Sequence, residues 1–64
     1  MITFDPLWKT LKEKDISQYD LINKYNVDKA VLQRLRDNHN VHLNTIDKLC
    51  NILHCDIEDI IEHK

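Results

Sequence analysis

Glycine is absent from the 64 residues, and proline occurs once, as Pro6. A chain without glycine cannot form the glycine-rich loop that cradles a phosphate group. The scarcity of both residues also argues against long flexible linkers. No apolar run approaches the roughly 20 residues that span a membrane. The N-terminus MITFDPLWK lacks the basic start and apolar core of a signal peptide. We therefore expect one soluble, cytoplasmic domain over residues 1–64, without membrane association.

Cysteine is also scarce, and Cys50 and Cys55 are too few for a disulfide framework. A bridge between them would close a very small loop and add little stability, so we expect free thiols in a reducing cytosol. His54 and His63 complete a possible set of metal ligands. A structural zinc site needs four convergent ligands, however, and the chain has no C-x-x-C pair. No nucleophile stands beside a base. We expect no metal, no cofactor and no enzymatic activity.

The net charge of −2 argues against nucleic acid, but the charge is unevenly distributed. Residues 1–23 carry three basic and four acidic side chains, which give −1. Residues 24–43 carry four basic and two acidic side chains, which give +2. Residues 44–64 carry two basic and five acidic side chains, which give −3. The middle of the chain is therefore the segment suited to meet phosphates.

Apolar periodicity and capping signals predict five short helices and no strand. The first helix lies in DPLWKTLKEK, with Asp5 as its N-cap and Pro6 at its first position. The second begins at Ser17, and Asp20 three residues later completes a capping box. It ends at Asn26, because asparagine tolerates the left-handed conformation that terminates helices.

The third helix runs from its N-cap Asp28 to about Arg36, and Asn38 is its left-handed stop. The fourth helix is NTIDKLCNIL, which begins either at the cap Asn44 or nearer His42.

The fifth helix is DIEDIIEH, with Asp56 as its cap and Asp59 three residues on. Each helix carries an apolar stripe, and we expect these stripes to form the core with Trp8 and Tyr25 inside it. The stripes are Leu7, Trp8 and Leu11; Leu21, Ile22 and Tyr25; Val31, Leu32 and Leu35; Ile46, Leu49, Cys50 and Leu53; and Ile57, Ile60 and Ile61.

The second and third helices resemble the helix-turn-helix of the Cro/C1-type, lambda-repressor-like family. The resemblance begins at Gln18, the first residue of the motif's first helix. It continues through Leu21, the turn YNV and the cap Asp28 to the core positions Leu32 and Leu35. The stretch LNTIDKLCNILHCDIEDIIE resembles the fourth and fifth helices of the same family.

The motif covers about residues 17–37, and the whole resemblance covers about residues 5–62. It implies an all-α, compact five-helix lambda-repressor-like DNA-binding domain. Two positions depart from the family pattern, since Ile22 stands where alanine is usual and Asn26 where glycine is usual. Asparagine can adopt the required geometry. The added volume of Ile22 must be accommodated by its neighbours.

The resemblance implies a sequence-specific transcriptional regulator of double-stranded DNA, whose recognition helix at about residues 28–37 enters the major groove. Gln18 would then hold a phosphate, and the loop that contains Asn38 and His39 would follow the DNA backbone. The side chains implied to face the bases are Lys29, Ala30, Gln33 and Arg34, which the helical wheel independently places away from the apolar stripe. Arg34 or Lys29 suits guanine, and Gln33 suits adenine. Ala30 suits the methyl group of thymine.

A homodimer is expected, because this family pairs two recognition helices on half-sites about 34 Å apart. The isoleucines of the fifth helix are the candidate interface. On the alternative interpretation Lys29 and Arg34 are only a solvated face. Arg36 lies nearer the core side of the helical wheel, and we expect it to form a surface ion pair. The competing hypothesis, motivated by the net charge, is a protein-interaction module such as an accessory factor or antirepressor. No small-molecule effector is evident.

Overall fold

Four α-helices carry the fold in this computed structural model, which describes residues 1–64. In chain order they are α1 (Asp5–Glu13), α2 (Gln18–Asn23), α3 (Lys29–Arg36) and α4 (Leu43–Leu53). A single 3₁₀ turn at Ile57–Asp59 follows α4. Strands β1 (Ile2–Thr3) and β2 (Glu62–His63) pair antiparallel and bring the two ends of the chain together. None of the helices has the length and apolarity that a membrane crossing requires.

The predicted helical class is confirmed, but the prediction of a fifth α-helix is wrong. The amides of Asp59 and Ile60 each donate to the carbonyl three residues earlier, at 3.0 and 2.9 Å, which is the tighter 3₁₀ pattern. The backbone then extends so that Glu62 can pair with Thr3. A strand of two residues has no readable alternation, so apolar periodicity could not reveal it.

Side-chain capping sets where two of the helices, α2 and α3, begin. The Ser17 amide donates to Asp20 Oδ2 at 3.1 Å, and the Asp20 amide donates to Ser17 Oγ at 3.0 Å, which confirms the capping box. Asp28 Oδ1 accepts from the Ala30 amide at 2.8 Å, which confirms Asp28 as a cap. Of the two expected starts of α4, the structure has the earlier one, because its N-cap is His42 and not Asn44.

The first helix begins one residue earlier than expected. Phe4 is the N-cap of α1, so Asp5 lies inside the first turn and does not cap it, and Pro6 is the second helical residue. Proline is still tolerated there, because the amides of the first turn have no partner within the helix.

Each α-helix is followed by one residue with positive φ, and none of these residues is glycine. They are Asp15 (φ 56°), Asn26 (57°), Asn38 (56°) and His54 (51°). The expected left-handed roles of the two asparagines are confirmed. Aspartate, asparagine and histidine are the residues that enter this region with the least steric cost after glycine, so the chain ends its helices without glycine.

The core is formed by apolar side chains from every helix. Its buried members are Phe4, Leu7, Leu11, Leu21, Val27, Leu32, Leu35, Ile46, Leu49, Leu53 and Ile60. Trp8 and Ile22 pack against this core but remain partly exposed, so the volume of Ile22 is accommodated at the edge of the core. Tyr25 was expected in the core and is 36% exposed. The reason is that α2 ends at Asn23, so helical spacing no longer applies at Tyr25.

Candidate nucleic-acid interface

The turn between α2 and α3 is anchored on both of its sides. The Val27 amide donates to the Leu21 carbonyl at 2.9 Å, and the Val27 side chain is buried in the core. From α4, Lys48 Nζ donates to the Asn26 carbonyl at 3.2 Å. The left-handed Asn26 reverses the chain between these contacts. The angle between α2 and α3 therefore rests on a buried side chain and a hydrogen bond from a third helix.

Helix α3 has one buried and one exposed side. Leu32 and Leu35 are fully buried, and Val31 is partly buried beside them. The four side chains expected to face the bases are all exposed on this helix: Lys29, Ala30, Gln33 and Arg34. Two leucines thus hold the helix against the core while its polar side is presented to solvent.

Arg36 joins the two motif helices through its side chain, a contact that the sequence did not predict. Its Nε donates to Gln18 Oε1 at 2.7 Å, and its Nη1 donates to Gln33 Oε1 at 3.2 Å. Gln33 Nε2 in turn donates to Asp37 Oδ2 at 3.0 Å. The expectation that Arg36 forms a surface ion pair is wrong, since every ion pair in the chain involves Lys64. The α3 helical wheel could not show this contact, because Gln18 lies on another helix.

Gln18 and Gln33 therefore belong to a single hydrogen-bonded network, which we call the Arg36 network (Gln18, Gln33, Arg36 and Asp37). Gln18 is partly buried at the start of α2, and the three other members are exposed. Both glutamine oxygens are occupied by the guanidinium. The side-chain amide of Gln18 makes no hydrogen bond within the chain and is free to donate to a ligand.

The loop after α3 divides between structural and exposed residues. Asn38 Oδ1 accepts from the Phe4 amide at 2.9 Å, so this side chain ties the loop to the start of α1. His39 is exposed, and its amide closes α3 by donating to the Arg34 carbonyl at 2.8 Å. Arg34 Nη1 reaches the Asn40 carbonyl only at 3.5 Å, which is a weak contact. The Arg34 guanidinium is therefore hardly restrained.

The charges of the molecule are unevenly distributed. Helix α3 carries no acidic side chain and three exposed cations, which are Lys29, Arg34 and Arg36. The acidic side chains gather along an open groove between α1 and the 3₁₀ turn, which is lined by Asp5, Glu13, Glu58, Asp59 and Glu62. Near the motif, the hydrogen bond from the Ser17 amide lowers the pKa of Asp20. A polyanion would meet its most favourable potential at α3.

Comparison with known proteins places this geometry in a family. The sequence profile of the Cro/C1-type HTH DNA-binding domain matches residues 6–64. The fold is similar to the crystal structure of transcriptional regulator VanUg, form II, with a TM-score of 0.87 and 34% sequence identity. That similarity covers 95% of this chain and 81% of the VanUg chain. No curated protein matches the chain significantly.

Proposed function

Since the chain belongs to the Cro/C1-type helix-turn-helix DNA-binding domain family, we propose that it is a sequence-specific transcriptional regulator that binds double-stranded DNA. The observation that carries the proposal is the exposed polar side of α3, where three cations stand on a helix anchored by two buried leucines. The similarity to a protein described as a transcriptional regulator supports it. In this proposal α3 enters the major groove and α2 crosses the DNA backbone.

We assign sequence reading to the exposed residues of α3. Arg34 and Lys29 suit the acceptor atoms of guanine, and Gln33 suits adenine. Ala30 has no polar group, so it would admit the helix to the groove and contact a thymine methyl group. Gln33 already makes one hydrogen bond through each polar atom of its amide, and each atom keeps a second donor or acceptor site for a base.

Phosphate contacts would flank this reading helix. The free amide of Gln18 would donate to one phosphate, with the Arg36 guanidinium adjacent to it. His39 and the remaining amide group of Asn38 would contact the backbone on the other side of α3. These contacts position the protein and carry no sequence information by themselves.

The proposal includes a homodimer, which the size of the molecule supports. Its longest dimension is 30 Å, whereas half-sites in successive major grooves lie about 34 Å apart. One copy presents one recognition helix, so a palindromic site needs two copies. Ile57 is 52% exposed and is our candidate for the interface, whereas Ile60 is fully buried and belongs to the core.

The test begins with selection of preferred sequences from random double-stranded DNA. The variant Arg34→Ala should weaken binding to the selected site by about 1–3 kcal/mol and relax the preference at one position. Lys9→Ala is the matched control, because it also removes an exposed cation but lies on α1 in the acidic groove. The control should change affinity by less than about twofold. Absence of DNA binding at low salt would overturn the proposal.

The acidic groove supports a second candidate function, a protein-interaction module on the same fold. Five carboxylates line this groove together with Lys9. Those not paired with Lys64, namely Glu13, Glu58 and Asp59, are suited to a basic partner protein. Salt dependence separates the two functions, since phosphate contacts make DNA affinity fall steeply with salt. Affinity for a partner protein together with no affinity for DNA would favour this second candidate.

A further inference from the structure

The two cysteines are brought together by the way α4 ends. His54 is left-handed, with φ 51° and ψ 50°, and the Cys55 amide donates to the Cys50 carbonyl at 3.2 Å. This bond spans the same residues as the long hydrogen bond of a Schellman cap. In such caps the side chains at the two ends of this bond frequently lie against each other. Here both side chains are thiols.

The thiols are free, adjacent and accessible. The hydrogen bond from the Cys55 amide to the Cys50 carbonyl holds the two residues beside one another, and neither side chain is fully buried. Both line an open groove that also contains Lys14 of the α1 C-cap and Asn51 of α4. No three side chains of the types that ligate metals come together anywhere in the chain. The pair is therefore suited to chemistry between the two sulfur atoms rather than to holding a metal ion.

We propose that Cys50 and Cys55 are a reversible redox site that forms an intramolecular disulfide across the end of α4. The oxidant class is a small-molecule disulfide such as oxidised glutathione. One cysteine thiolate attacks a sulfur of the oxidant, which releases one glutathione thiolate and leaves a mixed disulfide. The second cysteine thiolate then displaces the other glutathione. Two electrons and two thiol protons have passed to the oxidant, which leaves as two thiols.

The geometry points to a labile bridge rather than a permanent one. The loop it closes is very short, so the bridge removes little entropy from the unfolded chain. Exposed disulfides are the ones that thiols reduce readily. Burial raises the pKa of the Cys50 thiol, and burial followed by the neighbouring Cys50 raises that of Cys55. A raised pKa leaves less of each cysteine as the reactive thiolate at neutral pH, so exchange should accelerate as the pH rises.

The test equilibrates the whole chain with defined ratios of reduced and oxidised glutathione, in native buffer and in concentrated urea. Free thiols are then alkylated in acid, and the products are counted by mass spectrometry. The intramolecular disulfide should form with an equilibrium constant at least about tenfold larger in native buffer than in urea, because the folded cap holds the sulfurs together. Reduction with excess dithiol should restore both thiols completely, and circular dichroism should show unchanged helix content.

Single-cysteine variants supply the control. Cys50→Ser and Cys55→Ser should form only the mixed disulfide with glutathione. An equilibrium constant that is no larger in native buffer than in urea would overturn the proposal. So would a native product consisting only of mixed or intermolecular disulfides, or loss of helix on oxidation. The comparison of native and unfolded protein uses the unmodified chain, so it does not depend on whether either variant folds.

Discussion

Arg36 connects the two helices of the motif through its side chain. One guanidinium serves both Gln18 on α2 and Gln33 on α3, at 2.7 and 3.2 Å. Arginine presents several donors in a rigid plane, so it can hold two acceptors at a fixed separation. Lysine offers a single point charge and cannot reproduce this. Arg36 is therefore a positioning residue for two side chains of the proposed DNA interface.

We expect Arg36→Ala and Gln18→Ala to be coupled in their effect on affinity for a selected DNA site. Each variant removes the same Nε–Oε1 hydrogen bond, so the loss in the double variant should be smaller than the sum by about 0.5–1.5 kcal/mol. Arg36→Lys should recover charge but not the coupling. The measurement is a double-mutant cycle by fluorescence anisotropy. Additive losses would mean that Arg36 does not position Gln18 in the complex.

Thr3 places an unpaired hydroxyl group in the small core. Its side chain is 5% exposed, and its hydroxyl has no hydrogen-bond partner. Thr10 is similarly buried, but its hydroxyl donates to the Asp59 carbonyl at 2.8 Å. The two threonines differ mainly in whether the buried hydroxyl is satisfied.

We expect Thr3→Val to raise the free energy of unfolding by about 1 kcal/mol, because a methyl group replaces an unsatisfied hydroxyl of similar volume. Thr10→Val is the matched control, and it should lower the free energy of unfolding by about 1 kcal/mol, since the Asp59 carbonyl loses its donor. Urea denaturation followed by circular dichroism measures both. Equal destabilisation by the two substitutions would show that the Thr3 hydroxyl is satisfied in solution.

At the scale of the element, α2 depends most on its cap. It has six residues, and helices this short are not stable by themselves. The reciprocal bonds between Ser17 and Asp20 satisfy two amides at its start. Leu21 is the only residue of α2 whose side chain is fully buried. One of the two capping bonds is accepted by the Asp20 carboxylate, so the cap is sensitive to the ionisation of that group.

This carboxylate should give the fold a defined acid sensitivity. The bond from the Ser17 amide lowers the pKa of Asp20 below its usual 3.8. A group with a lowered folded-state pKa stabilises the protein fully above its unfolded pKa, and the contribution is lost as pH falls through the folded value. Asp20→Asn should therefore lose less stability than the unmodified chain between about pH 5 and pH 2. Thermal unfolding across this range is the measurement.

Glu13→Gln is the control for the acid series, because Glu13 is an exposed acid at the end of α1 and is not part of a cap. Its profile should follow that of the unmodified chain more closely than the Asp20→Asn profile does. If Asp20→Asn destabilised the protein equally at every pH, the capping bond would matter but its ionisation would not.

At the scale of the whole molecule, the isoleucines near the C-terminus have different environments. Ile60 is fully buried under the helices, whereas Ile57 on the 3₁₀ turn is half exposed. Ile57 is therefore the isoleucine of this segment that the proposed dimer could use. Substitutions at these two residues therefore test folding and the proposed dimer separately.

We expect Ile60→Glu to unfold the protein, because an unpaired carboxylate would replace a core side chain. Ile57→Glu should keep the helical circular dichroism spectrum and shift the protein from dimer to monomer in sedimentation equilibrium. DNA affinity of the Ile57→Glu variant should fall at a palindromic site and stay within about twofold at a single half-site. A folded Ile57→Glu variant that still dimerises would place the interface elsewhere.

Much of this protein could be predicted from local sequence. Ser17 with Asp20 and Asp28 with Ala30 are contacts within a few residues, so the start of each motif helix was visible in the order of residues. The left-handed stops at Asn26 and Asn38 were visible for the same reason. The exposure of Lys29, Ala30, Gln33 and Arg34 followed from helical spacing alone. The bases and phosphates assigned to them stay predictions.

Only the tertiary structure decided the contacts between distant residues. DIEDIIEH has helical spacing and was expected to be a helix. Because Glu62 pairs with Thr3, this segment forms a 3₁₀ turn and a strand instead. Arg36 reaches a glutamine 18 residues away. The physical reason is that caps and periodicity act within one or two helical turns. Pairing of the chain ends, and side-chain bonds between helices, depend on where the packed core places each element.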